Sequence, residues 1–317
     1  MTNGAERGRF APSPSGRMHL GNLFASFLAW LCAKSAGGKI VLRIEDLDTG
    51  RCTRAFANQL EKDYRTLGFL WDEGGSAGGP DESYYQSERE ERYAAALEML
   101  KKRGLVYPCF CTRAQLHAAS APHREDGQAI YPGTCRDLPT DQAEKRAKIR
   151  PFAYRLRVPD REIPFEDGHL GPYAENLARD CGDFLLRRSD GLWAYQLAVV
   201  VDDAAMSITQ VVRGSDLLSS TPRQLYLYEL LGLKPPKFYH VPLLLSPDGR
   251  RLSKRDGDLS LDALLSKRTP EELVGKLGYL AGLNPSAKPR TPESLLTEFD
   301  WQRVPKKDIF VPPGLFF

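Results

Sequence analysis

The sequence predicts an α/β protein whose ligand site lies at the carboxyl edge of a parallel sheet. The stretch GRFAP favours a strand, the run LFASFLAWLCAKSAGG has helical apolar spacing and stops at Gly37, and KIVLRIE favours a second strand. A strand, a tight loop, a helix and a strand form a βαβ unit, whose loop lies where parallel sheets bind ligands. His19 and Gly21 stand just before this helix, where free N–H groups and a bare glycine let a phosphate approach the backbone.

Length and composition exclude several classes of protein. The chain has 317 residues, 42% of them hydrophobic, which is enough for two or three packed units and is typical of a globular enzyme. No apolar stretch is long enough to span a bilayer, and MTNGAERGRF lacks the apolar part of a secretory leader, so we expect a cytoplasmic protein with no membrane contact. The net charge of +3 is too small to indicate nucleic-acid binding by itself, so any RNA surface is local.

The pattern changes further along the chain. Residues 112–150 are polar and loop-like, which predicts a small inserted unit. After it, Asp190 and Gly191 stand between two apolar runs, DFLLRR and LWAYQLAVVV, and predict a β-hairpin between two strands. In STPRQLYLYELLG, Thr221 as N-cap and Gly232 as stop predict a helix.

The cysteines point to a metal rather than to disulfides. The chain has six, and Cys109 and Cys111 form a Cys-x-Cys pair followed by Cys135 on the polar stretch. In a reducing compartment such a set favours a metal site, because three thiolates are most of a tetrahedral zinc shell. Three loop cysteines without metal are the alternative.

Three motifs together carry a resemblance to a known family. RFAPSPSGRMHLGN, RIEDLDTGR and RLSKR occur in the order and approximate spacing used by class I aminoacyl-tRNA synthetases, and the chain resembles glutamyl-tRNA synthetases over most of its length. Its shortness resembles a truncated branch that attaches glutamate to queuosine in tRNA(Asp). The resemblance implies a Rossmann-like parallel sheet, an inserted zinc-binding subdomain of the acceptor type, a short C-terminal helical region and no anticodon-binding domain.

The same resemblance divides the chain into four parts. They are the first half of the catalytic domain (1–106), the inserted zinc-bearing subdomain (107–182), the second half with the SKR loop (183–257) and a helical stem-contact region (258–317).

For ATP, the resemblance implies a site built from two of the motifs. MHLGN is similar to the family's His-Ile-Gly-His element, and RLSKR to its mobile lysine loop. His19, Gly21, Asn22 and Lys254 are therefore expected to bind ATP together with Mg²⁺, with His19 and Lys254 as the catalytic pair. Asn22 replaces a histidine and Arg251 replaces a lysine, so we give Asn22 no acid role.

For glutamate, the resemblance implies cations for the carboxylates and an anion for the ammonium. Arg9 and Arg213 are expected to hold the side-chain carboxylate and Glu45 the α-amino group, because an uncharged analogue would leave a buried charge unpaired. The remaining residues expected in this pocket are Ala11, Ser13 and Tyr195. The sequence departs from glutamyl enzymes at Ser215 and Leu217, where Glu and His are usual.

The resemblance also completes the zinc shell. In the truncated branch a tyrosine is the fourth ligand beside three cysteines, and YPGTC places Tyr131 four residues before Cys135. His117 and His123 are rival ligands that coordination chemistry prefers. A fully protein-ligated zinc leaves no open position for substrate, so the site is expected to be structural.

The expected reaction has two steps. Glutamate and Mg-ATP form glutamyl-adenylate and pyrophosphate, and a hydroxyl of queuosine in tRNA(Asp) then takes the glutamyl group. The alternatives are a short glutamyl-tRNA synthetase that charges the 3′ end of tRNA(Glu), and a catalytically inactive tRNA-binding paralogue.

Overall fold

The computed structural model describes residues 6–112, 114–115, 130–250, 252 and 260–316. The helices are α1 Leu20–Ser35, α2 Arg54–Thr66, α3 Glu90–Lys102, α4 Thr140–Ala147, α5 Leu177–Asp180, α6 Tyr195–Ala205, α7 Ser220–Leu231, α8 Leu261–Leu265 and α9 Pro270–Leu280. The strands are β1 Arg7–Phe10, β2 Lys39–Leu42, β3 Glu73–Gly74, β4 Val106–Cys109, β5 Ala153–Leu156, β6 Glu162–Asp167, β7 Gly171–Asn176, β8 Leu185–Arg187, β9 Gln210–Gly214, β10 Lys237–Val241, β11 Leu244–Leu245 and β12 Ile309–Phe310.

Parallel strands form the centre of the molecule. Strands β1, β2 and β3 pair in parallel in that order, and β9 pairs in parallel with β10. Strand β9 runs beside β1, because the Thr209 N–H donates to the Arg7 carbonyl over 2.9 Å. Helix α1 packs its buried face, which includes Phe27, Leu28 and Leu31, against this centre. The predicted α/β class and the βαβ unit are confirmed.

Antiparallel strands form a second region. Strand β5 lies between β4 and β8, and β6 pairs with β7 as a hairpin. The turn of this hairpin reaches back to the parallel region, where the Gly168 N–H donates to the Phe238 carbonyl over 2.8 Å. A Cβ at Gly168 would lie 2.2 Å from the Tyr239 ring, so only glycine allows this approach. The hairpin therefore packs directly on β10.

Two local predictions were wrong. The run after Gly191, predicted as a strand, is helix α6, and its buried residues include Leu197 and Val200. A short apolar run fits a buried helix and a buried strand equally well, and tertiary packing decides between them. Helix α7 has Ser219 rather than Thr221 at its N-cap, whereas its predicted stop at Gly232 is confirmed, with φ +66°.

The C-terminal residues share a core with the first half of the chain. Leu273, Val274 and Leu277 of α9 belong to the same buried cluster as Phe24 of α1. A capping box between Thr269 and Glu272 begins α9. None of the helices in the described ranges is long and apolar enough to cross a membrane.

Candidate active site

A cavity of about 470 Å³ opens at the carboxyl ends of β1 and β9, beside the first turn of α1. Its lining includes most of the predicted site residues, namely Arg9, Ala11, Ser13, His19, Gly21, Asn22, Glu45, Tyr195 and Arg213. Lys254 lies outside the described residues, although Leu252 of the same motif lines the cavity. Residues predicted to bind the amino acid and residues predicted to bind ATP therefore line the same cavity.

Backbone hydrogen bonds hold the loop after β1 against the chain that follows β2. The Glu45 N–H donates to the Pro12 carbonyl over 3.0 Å, and the Thr53 N–H donates to the Pro14 carbonyl over 3.2 Å. The prolines donate no bond of their own and stiffen the loop. Ser13 and Glu45 consequently face one cavity from two separate motifs.

Helix α1 begins at the cavity wall. Its N-cap is His19, with extended backbone angles (φ −112°, ψ 166°), and its first turn contains no acidic residue. A Cβ at Gly21 would lie 3.4 Å from the His19 ring, at van der Waals distance, so the imidazole lies directly beside this glycine. The N-terminal turn of a helix offers N–H groups and a partial positive charge, which suits a phosphate.

Alternating charges connect two residues of the cavity wall, Arg9 and Glu45, through two residues behind it. Arg43, which is fully buried, donates to Asp203 over 2.6 Å and to Glu45 over 3.2 Å. The Asp203 carboxylate also lies 3.5 Å from Nε of Arg9. The order Glu45, Arg43, Asp203, Arg9 therefore alternates negative and positive side chains, and each charge has an opposite neighbour.

The surroundings of the Glu45 carboxylate change its pKa. Burial raises its pKa, and the charges of Arg43 and Arg9 lower it by less, so the pKa lies above the usual range of a glutamate. A cationic ligand group beside Glu45 would favour the ionised form. The position therefore suits an ammonium group.

Arg213 enters the cavity from β9 and is held by a dense set of acceptors. The acceptors are Thr221 Oγ1 at 2.7 Å, Gln224 Oε1 at 2.9 Å, His240 Nε2 at 3.0 Å, and the Leu217 carbonyl and Tyr195 Oη, both at 3.4 Å. Burial lowers the pKa of Arg213, but a guanidinium stays protonated in proteins. None of these acceptors is a carboxylate, so its positive charge remains available to an anionic ligand.

The formal charges predict the kind of ligand. None of the hydrogen-bond acceptors around Arg213 is a carboxylate, whereas Arg43 contacts the carboxylates of both Glu45 and Asp203. The side chain of glutamate carries a negative charge that can pair with Arg213, whereas the side chain of glutamine is neutral. A buried unpaired charge is costly, so the arrangement favours the anion.

Three sulfurs and one phenol oxygen meet in the antiparallel region. The Sγ atoms of Cys109, Cys111 and Cys135 lie within 4.8 Å of one another. The Tyr131 oxygen lies 3.5 Å from Cys109 Sγ and 3.9 Å from Cys111 Sγ. Three soft donors and an oxygen are compatible with zinc. The rival ligands His117 and His123 lie outside the described residues.

Comparison with known proteins decides the family. Residues 6–298 match the family described as tRNA synthetases class I (E and Q), catalytic domain. The chain is 49% identical to a glutamyl-Q tRNA(Asp) synthetase of Nitratidesulfovibrio vulgaris over 98% of this chain and 96% of the relative. This chain belongs to the glutamyl-Q tRNA(Asp) synthetase family. A second member, from Symbiobacterium thermophilum, is 50% identical over 96% of this chain and 95% of its own length.

A solved structure shares the fold of the family. The crystal structure of a glutamate tRNA ligase from Elizabethkingia meningosepticum, in complex with its amino acid, superposes with a TM-score of 0.84 at 29% identity. The match covers 98% of this chain and 68% of that one. The class I synthetase fold predicted from the motifs is confirmed.

Sequence reasoning missed three residues that this member of the family places behind the pocket. Arg43 and Asp203 lie 160 positions apart and meet in a buried ion pair, and His240 contacts Arg213 from β10. A charged residue inside an apolar strand or helix, as in KIVLRIE and AVVVDD, was the available signal. That signal marks such a residue as paired, but it names no partner.

Proposed function

We propose that this chain activates L-glutamate with ATP and transfers the glutamyl group to queuosine in tRNA(Asp). Family membership supports the reaction, because both relatives described above carry the name glutamyl-Q tRNA(Asp) synthetase. The observation that carries the proposal is the single cavity in which Arg213 and Glu45 face the N-terminus of α1. This cavity supports the proposal, because it has charged groups suited to an amino acid beside a helix end suited to a nucleotide.

The glutamate is proposed to lie between Arg213 and Glu45. Arg213 would receive the side-chain carboxylate, since its guanidinium is buried and none of the hydrogen-bond acceptors described above is a carboxylate. Glu45 would meet the α-ammonium, and Tyr195 and Ser13 would add hydrogen bonds from the cavity wall. Arg9, already beside Asp203, supplies further positive potential at the same end. Charge complementarity of this kind selects glutamate over glutamine.

The ATP is proposed to lie at the α1 end of the cavity. Gly21 and Asn22 belong to the first turn, whose N–H groups suit the phosphates, and His19 lies at the N-cap. Lys254 is proposed to stabilise the leaving pyrophosphate, a role that rests on the RLSKR motif alone. Mg²⁺ bound with ATP would supply charge neutralisation to the phosphates.

Both chemical steps balance without a covalent enzyme intermediate. An oxygen of the glutamate α-carboxylate attacks the α-phosphorus of ATP, and the bond to the β-phosphate oxygen breaks, releasing pyrophosphate. A hydroxyl of the queuosine ring then attacks the carbonyl carbon, loses its proton and releases AMP. Positioning and electrostatic stabilisation supply the rate in such phosphoryl and acyl transfers. We propose the cytoplasm, where ATP and tRNA are present, as the place of reaction.

We also propose that Cys109, Cys111, Cys135 and Tyr131 hold one structural Zn²⁺. The support is the grouping of three sulfurs around the phenol oxygen described above. Arg155 covers the Tyr131 ring, with its guanidinium carbon 3.8 Å from the ring centre, and keeps the phenol in place. A zinc at this position would join β4 to the chain around residue 135 and so stabilise the inserted region.

One experiment tests the proposed reaction. The protein is incubated with labelled glutamate and ATP, together with queuosine-containing tRNA(Asp), unmodified tRNA(Asp) or tRNA(Glu). We expect label only on the modified tRNA(Asp), including a sample that lacks its 3′-terminal adenosine. Label on tRNA(Glu) that requires an intact 3′ end would instead support the short glutamyl-tRNA synthetase. A wild-type protein without glutamate-dependent pyrophosphate exchange would support the inactive paralogue.

A further inference from the structure

The hairpin β6–β7 places a buried carboxylate behind the glutamate cavity. Asp167, the last residue of β6, has a fully buried side chain. Its Oδ1 accepts from the backbone N–H groups of His169 (3.0 Å), Leu170 (2.8 Å) and His240 (3.2 Å). Its Oδ2 lies 2.6 Å from Nδ1 of His240. Three backbone donors and one ring nitrogen therefore contact this carboxylate.

These contacts determine where the proton of His240 lies. Burial raises the pKa of Asp167, but the hydrogen bonds from His240 and Leu170 outweigh it, so the pKa lies below the usual range. An ionised carboxylate only accepts hydrogen bonds, so His240 must donate its Nδ1–H to Asp167. The groups facing the His240 ring are Asp167, Arg213, Asp216 and Thr221.

The other ring nitrogen faces the glutamate pocket. Burial and the charge of Arg213 lower the pKa of His240 below its usual value, although Asp167 and Asp216 raise it, so the ring is neutral and Nε2 carries a lone pair. The Arg213 Nε–H donates to this nitrogen over 3.0 Å. In the opposite tautomer, or in a protonated ring, Nε2–H would point at Arg213 Nε–H and two donors would oppose each other.

We infer that Asp167 is a positioning residue for glutamate selection: by fixing the Nδ1–H tautomer of His240, it orients the guanidinium of Arg213 toward the side-chain carboxylate of the substrate. The inference rests on the proposed role of Arg213. It gives the hairpin, which contributes no lining residue to the cavity, a part in substrate selection. A hydrogen-bond partner on the second ring nitrogen commonly fixes the tautomer and orientation of a functional histidine.

The variant Asp167→Asn tests this positioning role and changes the shape of the side chain very little. The Asn oxygen can keep the three backbone hydrogen bonds, whereas its NH₂ group faces His240 Nδ1 and reverses the tautomer. In pyrophosphate exchange we expect KM for glutamate to rise about tenfold or more, the effect of losing one hydrogen bond to a charged group and opposing two donors. KM for ATP and kcat stay within about twofold, since only glutamate binding changes.

Glu166→Gln is the matched control. It removes the same charge one residue earlier on β6, where the side chain is exposed, so all kinetic constants are expected to stay at wild-type values. An unchanged KM for glutamate in Asp167→Asn, or equal losses for glutamate and ATP, would overturn the inference.

A direct measurement does not depend on the variant folding. Nitrogen-15 NMR of histidine-labelled wild-type protein distinguishes the two tautomers, and we expect His240, assigned by comparison with a His240→Gln sample, to be protonated at Nδ1 alone. Protonation at Nε2 would refute the inference even where Asp167→Asn is unfolded. A wild type without glutamate-dependent exchange would refute the proposed function instead, because the NMR result stands apart from activity.

Discussion

Arg43 donates to Asp203 across 2.6 Å, and both side chains are buried behind the cavity. The pair joins the strand β2 side of the fold to helix α6, and Arg9 and Glu45 border it on either side. Each carboxylate therefore keeps a neighbouring guanidinium from being a lone buried charge. The electrostatic potential in the pocket therefore depends on this buried pair as well as on the bound ligand.

Removing one partner is expected to cost stability. Asp203→Asn removes the carboxylate at the shorter of the two ion-pair distances to Arg43 and leaves the longer contact with Glu45, and breaking a buried pair costs roughly 3 kcal/mol in free energy of unfolding. Urea unfolding followed by circular dichroism measures it. The control Glu229→Gln disrupts the surface pair with Arg161 and should cost less than about 1 kcal/mol. Equal losses in the two variants would contradict the assignment.

The sequence predicted the residues that line the cavity better than the buried residues that pack behind them. Arg9 lies in β1, the motif around His19 follows β1, and Glu45 follows β2, so a βαβ unit places them at one edge of the sheet. The contact between Arg43 and Asp203 depends on tertiary packing, which no local pattern encodes. The same limit explains the error at helix α6, where an apolar run carries no sign of its buried partner.

The contact between Asp167 and His240 behind Arg213 could not be predicted from the sequence for the same reason. Asp167 lies on an antiparallel hairpin and His240 on a parallel strand, and their sequence positions differ by 73. Neither residue stands in a motif that marks its chemistry. Their roles follow from hydrogen-bond directions, which only the folded structure provides.

Arg213→Ala is expected to damage glutamate activation far more than ATP binding. The substitution leaves a substrate carboxylate without its cation, at a cost of roughly 2 to 5 kcal/mol, a factor of about thirty to several thousand. Glutamine should remain a poor substrate, because Arg9 stays in place and no amide-binding group is added. Pyrophosphate exchange with glutamate, glutamine and aspartate measures this. Arg161→Ala, at the surface, serves as control, and glutamate activation within about twofold of wild type would refute the role.

Lys254→Ala is expected to lower pyrophosphate exchange by roughly two to three orders of magnitude while KM for glutamate stays nearly unchanged. The reason is that its charge is needed where negative charge develops on the leaving group. Lys267→Ala, which removes an exposed charge beyond α8, is the control. A wild-type rate in Lys254→Ala would refute the role of the RLSKR motif.

The metal content is expected to be about one zinc per chain in protein purified without chelator. Cys109→Ser should lose most of it and lower the thermal stability of the inserted region, whereas Cys52→Ser, away from the cluster, should keep it. Tyr131→Phe decides the fourth ligand when zinc is measured by competition with a chelator. Weaker binding supports Tyr131, and unchanged binding together with loss in His117→Ala or His123→Ala supports a histidine.

The raised pKa of Glu45 predicts how glutamate use depends on pH. Burial raises this pKa above the ordinary value, and Arg43 and Arg9 offset the effect in part, so the free carboxylate takes up a proton at a higher pH than usual. The protonated form cannot attract an ammonium, so kcat/KM for glutamate should be highest above the raised pKa and fall as the pH decreases through it.

Bound glutamate brings a positive charge to the Glu45 carboxylate and favours its ionised form. The acidic limb of kcat should therefore lie at lower pH than that of kcat/KM, since the first reports the complex and the second the free enzyme. Pyrophosphate exchange across the acidic range measures both limbs, with KM for ATP as the internal reference. Glu45→Gln should raise KM for glutamate and abolish the acidic limb of kcat/KM, whereas a limb that persists in Glu45→Gln would assign the titration to another group.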